Sequence, residues 1–97
     1  MGRSGKHKPK RLARKLATIR RRLGLSQNEL IRQLNLPGVI LQGSISGYEL
    51  GTRVPPLTVL LEYARLAGVC TDVLIDDRQK LPPALPSTPA HKMSVED

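Results

Sequence analysis

Ten of the sixteen Lys and Arg residues lie within the first 22 positions, where there is no Asp or Glu. The other 75 residues hold six bases and eight acids, so the net +8 combines a +10 segment with a −2 remainder. Cationic groups at that density do one kind of chemistry: they pair with a polyanion, a nucleic-acid backbone or an acidic membrane surface. Other chemistries lack their parts. Cys70 is the single cysteine and has no partner for a disulfide, and with His7 and His91 it matches no zinc spacing. No nucleophile, base and orienting group suggest themselves together, so neither catalysis nor a cofactor nor a small-molecule ligand is expected. Cys70, following Val69, reads as a core thiol. With no Phe, no Trp and two Tyr, the chain is poorly equipped to stack unpaired bases. It also lacks an apolar run of signal-peptide or transmembrane length, which leads us to expect a soluble cytoplasmic protein with no membrane partner.

The elements that must position those charges fit one small domain of a 97-residue chain. Residues 1–9 mix Gly, Ser and Lys and read as a flexible basic arm. Residues 78–97, with Pro82, Pro83, Pro86 and Pro89, read as a disordered Pro-rich tail. Residues 10–77 are the foldable part. Leu12, Leu16, Ile19 and Leu23 form one helical stripe ending at Gly24. The other faces of that helix carry Lys10, Arg11, Arg14, Lys15, Arg21 and Arg22, of which Lys10, Arg11, Arg14, Arg21 and Arg22 are expected to meet phosphates. Ser26-Gln27-Asn28-Glu29 is a capping box, flanked by Leu25 and Leu30 as a staple, and it starts a second helix ending near Asn35 before Pro37-Gly38. A short third helix places Ile45, Tyr48 and Glu49 on one face and Gln42, Gly43, Ser46 and Gly47 on the other, with Gly51 as its stop. Pro56 opens a fourth helix that closes at Gly68. Thr71 caps a last turn through Val73 and Leu74. The expected fold is all-α, with five short helices.

The order Ile19-Arg20, Leu23 to Leu30, Ile45 to Gly51, then Pro55 and the Leu60 to Val69 helix resembles the Cro and phage-repressor type of helix-turn-helix domain, the xenobiotic-response-element family. The resemblance implies a compact lambda-repressor-like domain that regulates transcription by binding double-stranded DNA, with helix 3 (about 42–50) in the major groove. It implies a small repressor of bacterial or phage type, working as a homodimer on paired half-sites. Residue by residue, it assigns Gln27 to a phosphate and Gln42 to base edges. Ser44, Ser46 and the positions of Gly43 and Gly47 fall on the base-reading helix. Arg53 falls where a basic residue meets the backbone or the minor groove. Arg20 and Glu49 correspond to an ion pair that bridges helix 1 to the end of helix 3 and orients it. Ile45 and Tyr48 belong to the core, with the Tyr48 hydroxyl near a phosphate.

Two departures from that pattern matter. The connection from Leu36 to Leu41 is about four residues longer than the compact family turn, making an elongated turn. Gly43, Gly47 and Leu50 also leave Gln42 nearly alone to specify sequence. Backbone contacts are therefore expected to dominate affinity, and specificity is left to DNA shape, to the arm in a narrow minor groove or to dimer geometry. The alternative is a protein-interaction module, antitoxin-like or adaptor, whose apolar 36–41 loop holds a protein partner.

Overall fold

The computed structural model describes residues 9–36, 40 and 42–86, with Gln42 placed by its backbone alone. Five helices follow one another: α1 (Leu12–Arg22), α2 (Gln27–Leu34), α3 (Gln42–Leu50), α4 (Leu57–Ala67) and α5 (Thr71–Ile75). The described residues contain no strand, and none of their helices is long and apolar enough to cross a membrane. The basic arm, apart from Pro9, and residues 87–97 lie outside the described residues.

The core forms where the apolar stripes converge. Leu12, Leu16 and Ile19 of α1 meet Leu30 and Leu34 of α2, Ile45 of α3, and Val59, Tyr63 and Ala67 of α4. Gly24 ends α1 in the left-handed region at φ +71°, which a side chain would strain. Its N–H donates to Arg21 O and that of Leu25 to Arg20 O, a Schellman turn that reverses the chain into α2. The capping box closes as its sequence implies, with the Glu29 N–H on Ser26 Oγ at 3.1 Å and the Ser26 N–H on Glu29 Oε1 at 2.7 Å. Those bonds hold the Glu29 carboxyl below its ordinary range. The end of α2 is Asn35, itself left-handed at φ +57°. Pro37, Gly38, Val39 and Leu41 of the elongated turn lie outside the described residues. Ile40 is buried in the core, and Leu36, partly buried, packs against that core.

The expectations for Lys15, Cys70, Thr71 and the Pro-rich segment change. Lys15 is not on the solvated basic face: it is 5% exposed, and its Nζ donates to the carbonyls of Val73 at 2.6 Å and Asp76 at 3.0 Å. Its ammonium thus satisfies the carbonyl end of α5, while burial pulls its pKa down. Cys70 is exposed rather than core, because it is the residue before α5, and Thr71 is the first helical residue instead of the cap. The N-terminus of α1 has no local side-chain cap; the Asp77 carboxylate accepts from the backbone N–H of Lys10 and Arg11 at 2.9 and 3.0 Å. Finally, the start of the Pro-rich segment is folded. Leu85 is 1% exposed in the core, Leu81 packs against it, and Arg22 Nη1 donates to Pro82 O at 2.6 Å. Two leucines, one on each side of Pro82-Pro83, supply enough apolar surface to hold residues 78–86 against the domain.

Candidate nucleic-acid interface

The central feature is a polar hub where α1, the start of α2 and α3 meet. Arg20 Nε donates to Glu49 Oε2 at 2.6 Å and Nη2 donates to Oε1 at 3.0 Å, a bidentate fork. The third arm of the guanidinium, Nη1, donates to Leu25 O at 3.0 Å. Gln27 Nε2 approaches Glu49 Oε1 at 3.4 Å. The pair is mostly shielded, with side-chain exposures of 19% for Arg20 and 10% for Glu49. The hydrogen bond to Glu49 raises the Arg20 pKa further above its already high value. Behind the hub the Tyr63 hydroxyl is buried with no partner among the described residues, and desolvation drives its pKa far up.

This hub fixes how α3 is presented. Ile45 and Tyr48 face the core and Glu49 faces α1, so Gly43, Ser46, Gly47 and Leu50 share the outward side at helical spacing. Gly43 is exposed and a Cβ there would meet nothing within 4 Å, while Ser44 and Ser46 are half-buried. Leu50 is 74% exposed. The side chain of Gln42, the residue assigned to base edges, lies outside the described residues. Gly47 is different from its neighbours: it is buried, because the side chain of Arg53 lies across it. The loop Gly51 to Arg53 is clamped to the same residue, with the Thr52 and Arg53 N–H groups donating to Gly47 O at 3.0 and 3.2 Å. Gly47 is thus a seat for Arg53 and not an open base-facing position.

A domain of this order, with α2, a turn and α3 held by a bidentate pair from α1, is matched by a family model described as a helix-turn-helix domain over residues 11–77. The chain belongs to the helix-turn-helix domain family. No curated protein and no solved structure matches it. The helix-turn-helix proper is α2, the connection 35–41 and α3, and the folded unit continues past the matched region to Leu85.

The bases along α1 border two grooves, and Arg11 and Arg14 line both. Lys10, Arg11, Arg14 and Arg21 line a groove beside α1 that Glu49 of α3 borders. Arg22 lies on the other flank of α1 with Lys80 and Leu81, its guanidinium engaged by Pro82. Arg11 is also partly engaged, through Nη1 to Asp77 O at 3.2 Å. Gln27 turns one amide N–H toward Glu49, which leaves its second N–H and its carbonyl for other partners. Among the described residues no cluster of His, Cys, Asp or Glu could hold a metal.

Sequence reasoning missed Asp77, Lys15 and the Gly47 seat. Lys15 had a legible signal: it stands three residues after Leu12 and four before Ile19, on the flank of the core stripe. Asp77 had none, since only the fold brings it to Arg11, 66 residues away; the seat had a partial one in the Gly51 stop, which turns Thr52 and Arg53 back onto Gly47 O.

Proposed function

We propose that this chain is a double-stranded DNA-binding transcriptional regulator, a small repressor, that lays the outward side of α3 in the major groove. The observation that carries this reading is the Arg20–Glu49 hub: it ties α3 to α1 and to the start of α2, leaving the opposite side of α3 turned outward. Rigid presentation of a short helix beside a helix N-terminus is the docking geometry of such domains. Gln27 at the start of α2 and Arg14 and Arg21 in the α1 groove supply phosphate contacts in this reading, with Lys10 and Arg11 beside them. Base contacts are assigned to Ser46 on that outward side, with Ser44 and Gln42 as the further candidates of the first turn of α3. Arg22 contributes after release from Pro82. The role is binding and not catalysis. A second copy of the chain is the expected partner, because a two-fold protein matches two half-sites a helical turn apart.

The test is a titration of random-sequence and selected duplexes with the full chain at several salt concentrations. Log K should fall by about 0.9 for each phosphate neutralised per tenfold rise in salt. Affinity that is flat in salt, or absent for every duplex at low salt, refutes DNA binding. Dependence of the binding curve on protein concentration with a slope above one supports pairing of copies, and a simple one-to-one curve refutes it.

A further inference from the structure

We infer that Arg53, seated on Gly47, is a base-reading residue of the recognition surface and takes guanine in the major groove. The inference rests on the DNA-binding reading above and assigns its specificity. A Cβ on Gly47 would stand 2.9 Å from Arg53 Cδ, 3.0 Å from Cγ and 3.3 Å from Cβ, so the whole aliphatic stem lies flat on the backbone of α3. The guanidinium therefore begins, one bond past Cδ, above the side of α3 that also carries exposed Gly43 and Leu50. The aliphatic stem occupies the space where a side chain of residue 47 would begin.

The placement is held twice over. Gly47 O accepts from the N–H groups of Thr52 and Arg53 and from Thr52 Oγ1 at 3.4 Å, which fixes the Arg53 backbone over the helix. The missing side chain at position 47 then gives the stem its bed. Among the described residues no carboxylate pairs with the Arg53 guanidinium, so its five donors remain available. A planar fork projecting from the exposed side of a recognition helix is suited to the O6 and N7 acceptors of guanine, which it can bind bidentately. The rest of that side offers little competition: Gly43 has no side chain, Leu50 no polar group, and Ser46 only a short, half-buried hydroxyl. An arginine meant only for phosphate has no need to be laid across the helix that enters the groove.

The experiment is selection of random duplexes on the full chain, followed by competition titrations of the wild type, Arg53→Ala, Gly47→Ala and the double variant. Selected sites should share a guanine whose replacement weakens wild-type binding about tenfold or more. In Arg53→Ala that discrimination should shrink to less than about twofold. Gly47→Ala should lose the same discrimination while keeping its salt slope, because the added methyl displaces the arginine without removing its charge. Uniform weakening of all duplexes by Arg53→Ala, with preference intact, overturns the inference while leaving DNA binding standing. A wild type that binds no duplex overturns the functional reading itself. The seat is also read without DNA. Ala is the better helix former, so Gly47→Ala should raise Tm more in the Arg53→Ala background than in the wild type. An equal rise in both means that Arg53 does not press on residue 47, and the inference fails.

Discussion

Removing one member of the Arg20–Glu49 pair should cost far more than removing both. In Arg20→Met the Glu49 carboxylate, 10% exposed, keeps only the 3.4 Å contact from Gln27. Loss of one partner of a fully buried pair costs about 3–5 kcal/mol. Water reaches the edge of this pair, since Arg20 is 19% exposed, so we expect about 2–3 kcal/mol. Glu49→Leu leaves the guanidinium its bond to Leu25 O, and about 2 kcal/mol is expected. The double variant Arg20→Met, Glu49→Leu strands no charge and replaces the fork by apolar volume, so it should lie within about 1 kcal/mol of the wild type. Urea unfolding of the four proteins at pH 7, compared at constant m, gives the cycle. The double variant should nevertheless bind duplex more weakly than the wild type, because an apolar contact sets the angle of α3 less sharply than a three-armed guanidinium. The reasoning is refuted if the double variant is as unstable as the worse single one, or if Arg20→Met loses less than about 0.5 kcal/mol.

Leu85→Ala should destabilise by about 2–4 kcal/mol as a core truncation, whereas exposed Leu50→Ala should change stability by less than about 0.5 kcal/mol; equal urea midpoints would return residues 78–86 to an unfolded tail. Asp77 is held below the ordinary carboxylate range by the Lys10 and Arg11 amides, and Asp76 by Arg78. Their contribution is complete above the unfolded carboxylate value, about 4, and disappears as pH falls through the lowered folded values. Thermal melts from pH 7 downward should therefore show stability falling below about pH 4, with Asp77→Asn less stable at neutral pH and flatter in acid; an unchanged acid profile in that variant contradicts the role given to Asp77. Tyr63→Phe removes a buried hydroxyl with no partner among the described residues, so it should raise stability by up to about 1 kcal/mol. A loss above that size would mean the hydroxyl is hydrogen-bonded.

The amino-acid sequence by itself determined what is local. Apolar spacing marks the inward stripes of α1, α2 and α4, the capping box marks the first turn of α2, and Gly24, Gly51 and Gly68 mark three left-handed stops, because these signals act within a turn or two of the chain. The charge of the first 22 residues is equally plain. Tertiary structure decided which of those charges face outward. Lys15 and Arg22 look like their neighbours in sequence, yet one ammonium is buried against α5 and one guanidinium holds Pro82. It likewise decided that Asp77 anchors a helix 66 residues earlier, that Leu85 completes the core and that Gly47 is covered by Arg53. The seat forms locally, six residues apart across the Gly51 stop; the other contacts join segments whose separation in the chain carries no periodic signal, so only the packing of the five helices brings those partners within reach.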